Sequence, residues 1–359
     1  YICLVGLLAL LAAALTGCGF SDDSVEELFT LPRMAEEYTG LTQELEALIT
    51  QGYEYASPTG GRNIQSVQMA DLDGDGQQEA LAFFRMSSDE KPLKIFVFKI
   101  EGDSYARYCT IESSGTAIDS VYYQDLNGDG RRELIVGWRI SAEVQTVAVY
   151  TVAREPVALM SSGYTRFTIQ DLNGDGIPSL LVLRTDADSQ PVAEFYGWQD
   201  EQMGVAYRCV LSSTMASVNR GSLVSGRLDA DTPALYITGV DEQGMAATDI
   251  LVFRQDLGLV NLALSGSSTG VSNAVFPYRQ LLPQDINGDG IIELPSPDTS
   301  WTAEQTDGLV SWLCCNGDGQ LSTVAKTYHS LSCGWYFTIP ESWWDWSVET
   351  VTTSISNEN

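Results

Sequence analysis

Asp71-Leu72-Asp73-Gly74-Asp75-Gly76-Gln77-Gln78-Glu79 is the stretch whose reading decides the fold, because the chain repeats it. It returns as Asp125-Leu126-Asn127-Gly128-Asp129-Gly130-Arg131-Arg132-Glu133 and as Asp171-Leu172-Asn173-Gly174-Asp175-Gly176-Ile177. A fourth copy is Asp285-Ile286-Asn287-Gly288-Asp289-Gly290-Ile291-Ile292-Glu293. The starting positions are 54, 46 and 114 residues apart. The last gap is two units long, and Arg227-Leu228-Asp229-Ala230-Asp231-Thr232-Pro233 lies near its middle as a decayed copy. Recurrence at a period of roughly 50 residues marks a repeat architecture in which each unit is one supersecondary element.

Around each loop the same strand rhythm recurs. In the first unit, residues 67–70 lead into the loop and 80–85 leave it. Residues 93–100 and 105–111 follow, separated by a turn at Glu101-Gly102-Asp103. Short β-branched and aromatic runs divided by turn residues read as four strands per unit. The third unit shows the rhythm at 167–169, 180–184, 192–198 and 205–211, and the decayed unit at 235–237, 250–253 and 259–264. Four-stranded repeats of this length predict an all-β fold, a β-propeller of about five blades. Cys314-Cys315-Asn316-Gly317-Asp318-Gly319 resembles a further loop, but it falls where the first unit has its hairpin turn, so it reads as an Asn-Gly turn.

The loops carry the chemistry. Ca²⁺ is a hard cation that takes six to eight oxygens at about 2.3–2.6 Å. Side-chain oxygens at positions 1, 3 and 5 of a tight loop converge, glycines at 4 and 6 let the backbone turn back, and the carbonyl of position 7 adds a ligand. An EF-hand would place Glu at position 12, before a helix. Here position 12 is Ala82, Val136 or Ser296, and a carboxylate falls at position 9 instead: Glu79, Glu133 and Glu293.

The loops and their β context resemble the FG-GAP/VCBS repeat family, which includes the calcium-bearing blades of integrin α-subunits. The resemblance covers about residues 64–330. It implies ligands at Asp71, Asp73, Asp75, Gln77 (carbonyl) and Glu79, and at Asp125, Asn127, Asp129, Arg131 (carbonyl) and Glu133. The last set is Asp285, Asn287, Asp289, Ile291 (carbonyl) and Glu293. The third loop offers Asp171, Asn173, Asp175 and the Ile177 carbonyl, with Ser179 at position 9, so weaker binding is expected there. With Arg227 at position 1, the decayed copy should be metal-free. Three to four structural Ca²⁺ ions are thus expected. Departures from the family are the five units and the prolines Pro295 and Pro297, expected to interrupt the strand after the last loop.

Residues 1–17 form a separate segment. An almost wholly apolar run ends in Leu15-Thr16-Gly17-Cys18. The run is too short to span a bilayer, which needs about 20 residues, but suits the core of a signal peptide. Leu-Thr-Gly-Cys is similar to the lipobox of bacterial lipoproteins, which implies cleavage before Cys18 and lipidation of its thiol. Neither an initiator Met nor a basic start precedes the run, so the sequence is expected to begin inside its signal. The implied location is the outer face of a bacterial cell membrane, extracellular or periplasmic, with the lipid as the one membrane contact. The expected division is 18–61 for the linker and a helical segment, 62–331 for the repeats, and 332–359 for a Trp-rich end. That end is either a closing strand or the start of a truncated module. Leu28, Met34, Leu41, Leu45 and Leu48 supply the helical spacing.

Composition narrows the partners. Nineteen Lys+Arg against 48 Asp+Glu give a net charge of −29. Nucleic acid is excluded, since phosphate needs a basic surface, and so is electrostatic adhesion to anionic lipid. The five cysteines beyond Cys18, at 109, 209, 314, 315 and 333, show neither a disulfide framework nor Cys-x-x-Cys. They read as thiols, with a bridge from Cys314 or Cys315 to Cys333 as the remaining pairing. His329 is the chain's one histidine. Gly266-Ser267-Ser268-Thr269-Gly270 matches a nucleophile motif, but sits in a Ser/Gly-rich linker and not at a strand-to-helix elbow. The expectation is therefore a non-enzymatic binding, adhesion or scaffold protein for a protein or glycan ligand. The alternatives are a hydrolase or lyase using surface carboxylates, or an accessory or sensor domain of a larger protein.

Overall fold

The computed structural model describes residues 38–102, 104–199, 201–264, 274–276, 281–298 and 307–345. The Cys18 lipidation site, the signal segment 1–17, the Gly266–Gly270 motif and Trp346 lie outside the described residues.

The described residues are mostly β, arranged as five antiparallel sheets in chain order. Sheet 1 contains β1 (Glu54–Tyr55), β2 (Val67–Ala70), β3 (Glu79–Arg85), β4 (Leu93–Glu101) and β5 (Ser104–Ser113). Sheet 2 holds β6 (Ala117–Gln124), β7 (Glu133–Arg139), β8 (Gln145–Tyr150) and β9 (Ala158–Gly163). Sheet 3 holds β10 (Arg166–Gln170), β11 (Ser179–Thr185), β12 (Pro191–Gln199) and β13 (Gln202–Val210). Sheet 4 is β14 (Ser222–Arg227), β15 (Pro233–Val240), β16 (Ala246–Arg254), β17 (Gly258–Asn261) and β18 (Val275–Phe276). Sheet 5 is β19 (Leu294–Pro297), β20 (Asp307–Cys315), β21 (Leu321–Ser330) and β22 (Trp335–Thr338). The Asn316-Gly317 segment is the β20–β21 turn, as its position predicts.

Apolar clusters lie between successive sheets. Leu81, Phe83 and Ile95 of sheet 1 meet Ile118, Val121 and Leu134 of sheet 2, and analogous clusters join sheets 2 and 3, 3 and 4, and 4 and 5. Both faces of β3, β7 and β11 are thus covered, which is why these strands read as continuous apolar runs and not as alternations. Helix α1 (Thr39–Thr50) covers the free face of sheet 1, laying Leu41 and Leu48 on Phe84, Phe96 and Phe98. A second, one-turn helix, α2 (Met215–Val218), links sheets 3 and 4. No apolar cluster among the described residues joins sheet 5 to sheet 1. No described helix is long and apolar enough to cross a membrane.

Several expectations are corrected. The boundary at residue 61 cuts through sheet 1, because β1 pairs with β3 ahead of it. Within the expected Trp-rich end, residues 335–338 form β22, which pairs with β21 at the edge of sheet 5. Pro295 and Pro297 do not interrupt their strand: β19 is an edge strand of its sheet, where a missing N–H is tolerated. All five cysteines in the described residues are free, so no bridge joins Cys314 or Cys315 to Cys333.

His329 is buried in sheet 5, its Nε2 2.8 Å from Thr327 Oγ1 and its ring stacked on Tyr336 at 5.2 Å. Trp312 Nε1 donates to the same hydroxyl at 2.7 Å. Burial holds the His329 pKa below its ordinary value. A depressed histidine pKa makes the neutral form the native one, so its contribution is complete above the unfolded-state pKa of about 6.5 and is lost as pH falls. Between pH 7.5 and 5 the wild-type melting temperature should fall more than that of His329→Gln. Parallel pH profiles for the two proteins would refute this.

Candidate metal centre

The four complete loops share one hydrogen-bond scheme. The position 1 carboxylate accepts the N–H groups of both glycines: Asp71 from Gly74 (2.8 Å) and Gly76 (3.2 Å), and Asp125 from Gly128 (2.6 Å) and Gly130 (2.9 Å). Asp171 takes Gly174 (2.7 Å) and Gly176 (2.9 Å), and Asp285 takes Gly288 (2.7 Å) and Gly290 (2.9 Å). Reaching this geometry requires φ of +74° to +87° at all eight glycines, a region that L side chains avoid. The position 5 carboxylates of Asp75, Asp129, Asp175 and Asp289 each accept the backbone N–H of position 7, at Gln77, Arg131, Ile177 and Ile291.

Position 9 closes the loop from the sheet side. Glu79, Glu133 and Glu293 accept the backbone N–H of Leu72 (2.7 Å), Leu126 (2.9 Å) and Ile286 (3.0 Å). Each of the three glutamates is buried and opens the strand after its loop or precedes it directly. Ser179 holds the same register in the third loop without a carboxylate. The position 2 leucines, Leu72, Leu126 and Leu172, are buried in the clusters between their own sheet and the next. Burying such a side chain is worth about 2 kcal/mol, so loop geometry and sheet stacking are linked.

Successive loops also touch. Arg132 N–H donates to the Leu72 carbonyl at 2.7 Å, and Trp198 Nε1 in sheet 3 donates to the Leu126 carbonyl at 2.7 Å. A Cβ on Gly74 would stand 2.5 Å from the Gly130 carbonyl oxygen, so glycine is required there for contact as well as for φ.

The decayed copy at residues 227–233 departs from the expected frame. In the complete loops position 9 pairs with the residue before position 1, as in Ala70 with Glu79, whereas Arg227 itself pairs with Pro233. The turn is shorter, closed by Leu228 N–H to the Thr232 carbonyl at 2.9 Å, and Asp229 caps Asp231 and Thr232.

Electrostatics bear on whether a cation fits. Burial, with Asp129 and Asp125 alongside, pushes the Glu133 carboxyl up to about 7 against the Leu126 hydrogen bond. Glu79 and Glu293 move the same way, burial first. The carboxylates of a loop, four in the first and three in the second and last, repel one another in a partly dry setting, and buried charge is costly unless paired. The oxygens of Asp71, Asp73 and Glu79 lie within 4.8 Å of one another. This hard, anionic, oxygen-only donor set fits a divalent cation of the Ca²⁺ kind. Once bound, such an ion would supply a counter-charge holding the loop closed.

One residue of the first loop's surroundings escapes a reading of the loops alone. Lys99 of β4 bonds Asp73 and stands 3.6 Å from Glu79 Oε1, with its ammonium 4.5 Å from the Tyr108 ring centre. Strand pairing, and not proximity in sequence, brings it there.

No protein-family model and no curated protein matches the chain. Among solved structures, a Bacillus licheniformis rhamnogalacturonan lyase matches with a TM-score of 0.40 at 16% identity, over 82% of this chain and 60% of that one. The chain thus spans less than two thirds of the lyase's length. A hypothetical protein from Leishmania major follows with a TM-score of 0.26 at 10% identity, covering 81% of this chain and 91% of its own. A GDP-Man-dependent mannosyltransferase from Leishmania mexicana gives 0.20 at 9%, over 86% and 98%. Likeness this distant carries no argument about substrate or activity.

Proposed function

We propose that this chain is a Ca²⁺-stabilised β-propeller that binds a glycan without turning it over, held on the outer face of a bacterial membrane by a lipid on Cys18. The observation that carries the reading is the same hydrogen-bonded Asp/Gly loop in four of five consecutive sheets. Asp71, Asp125, Asp171 and Asp285 anchor the loops, and three to four Ca²⁺ ions hold them against the sheets. The metal's part is structural. It draws the position 1, 3, 5 and 9 oxygens together and keeps the position 2 leucines seated between sheets.

The ligand surface in this reading is a groove of about 870 Å³ beside β2, β6 and β10. Gln65, Gln124, Tyr122, Tyr123, Arg62 and Arg132 line it, and Asp71 is its one acidic lining residue although the chain carries 48 Asp+Glu. Amides and rings match the vicinal hydroxyls and apolar faces of sugars. Tyr123 is fixed by its hydroxyl donating to Gln68 Oε1 at 2.6 Å, and Gln68 Nε2 donates to the Asn63 and Gln65 carbonyls. The rim is thus ordered before a ligand arrives, which lowers the cost of binding. His329 does not line this groove.

Calorimetric titration of the full chain should count three to four Ca²⁺, and the absence of any uptake would end the metal part of the proposal. An oligosaccharide screen, with and without EDTA, tests the binding part. Retention without product supports the reading, and Gln124→Ala with Arg132→Ala should weaken it by about tenfold, 1.4 kcal/mol. Reproducible release of cleaved sugar would instead establish an enzyme.

A further inference from the structure

The first loop differs from the others at two positions that face each other. Position 3 is Asp73, where the other complete loops have Asn127, Asn173 and Asn287. Those asparagines turn inward: their Nδ2 groups donate to the position 5 carboxylate, at 3.2 Å to Asp129, 2.7 Å to Asp175 and 2.9 Å to Asp289. Asp73 cannot donate, and its Oδ2 is taken by the Lys99 ammonium. Strand register identifies the residues that correspond to Lys99. It follows Phe98, which pairs with Ala80 next to Glu79. By the same pairing, Thr151 stands there in sheet 2, Gly197 in sheet 3 and Cys314 in sheet 5. None is a cation.

The extra carboxylate and the one lysine thus occur together, in the same sheet. Counting Asp71, Asp73, Asp75 and Glu79, the first loop has one more acidic residue than the set Asp125, Asp129 and Glu133. The Lys99 side chain is 17% exposed, Glu79 beside it 4% and Asp73 30%, so the charges meet partly out of water, where an ion pair is screened less than at the open surface. Asp89, Glu112 and Lys94 form a separate group on β4 and its neighbours, with Lys94 paired to both carboxylates.

We propose that Lys99 is a built-in cation of the first loop: its ammonium, held between Asp73 and Glu79 and over Tyr108, closes the loop without metal and competes with a divalent ion for it. This rests on the calcium reading of the other loops. The second and last loops fill at low Ca²⁺, and the first fills after them, because Lys99 must first move away. The sheet that α1 covers is thereby held closed when calcium is scarce.

The test is a Ca²⁺ titration and an EDTA melting curve on the full chain, for wild type, Lys99→Met and Lys99→Met with Asp71→Asn. Methionine keeps an apolar stem over Tyr108 while removing the charge. Lys99→Met should tighten one binding step by at least about tenfold. Asp71→Asn should abolish that gain, and Lys99→Met should melt below wild type in EDTA. An unchanged or weakened affinity in Lys99→Met would overturn the competition, and an unchanged EDTA melting curve would overturn the closing role. Should wild type bind no Ca²⁺ at any loop, the calcium reading fails separately, and the EDTA curve alone decides what Lys99 does.

Discussion

Removing calcium with EDTA is expected to lower the melting temperature of the full chain by on the order of 10 °C. A site with free ligand at a hundred times its Kd stabilises by about 2.7 kcal/mol, so two readily filled loops supply roughly 5 kcal/mol. For a body of this size each kcal/mol is worth about 2 °C. The loss comes from repulsion among Asp125, Asp129 and buried Glu133, and among their counterparts at 285, 289 and 293, and from loosened seating of residues such as Leu126. Scanning calorimetry with and without EDTA, followed by added Ca²⁺, is the measurement. Asp125→Asn combined with Asp285→Asn should melt low in both conditions. A wild-type curve indifferent to EDTA would remove the metal from the account of this fold.

Asp249→Ala is expected to cost about 3–5 kcal/mol, because several donors lose a buried carboxylate acceptor at once. Asp249 lies fully buried in β16 and accepts four hydrogen bonds. They come from Ser212 N–H (2.7 Å), Ser212 Oγ (2.6 Å), Ser213 N–H (3.1 Å) and Asn261 Nδ2 (2.7 Å). Asn261 also donates to the Val210 carbonyl at the end of sheet 3. The cluster clamps sheet 3 to sheet 4 at the unit whose loop has decayed. Alanine would leave several buried donors without a partner, each costing about 1–3 kcal/mol. Urea unfolding should show a lower midpoint for Asp249→Ala and a smaller loss for Asp249→Asn, which keeps one acceptor. A change below about 1 kcal/mol for alanine would show that the clamp carries little.

The acidity of the chain gains a partial explanation. Twelve of its 48 Asp+Glu belong to the four complete loops, where carboxylates accept backbone N–H groups and converge on shared centres. Many of the rest are exposed on loops and edge strands, where charge blunts strand-to-strand aggregation.

The sequence by itself determined the repeats, the four-strand rhythm and the conformation of the complete loops. These are local: a carboxylate bonds N–H groups three and five residues on, and glycines at fixed offsets permit the turn. Tertiary structure decided the rest. Whether Lys99 reaches Asp73 depends on the register of β3 against β4, a choice made across 26 residues. Where Arg227 pairs depends on the length of a turn whose glycines are gone, and the placing of Pro295 and Pro297 depends on which strand lies at an edge. The cover that α1 gives sheet 1, the Asp249 clamp and the amide-lined groove all form from residues far apart in the chain. Loop geometry is set by bonds within nine residues, while the charge balance of each loop is set by whichever side chain the neighbouring strand presents.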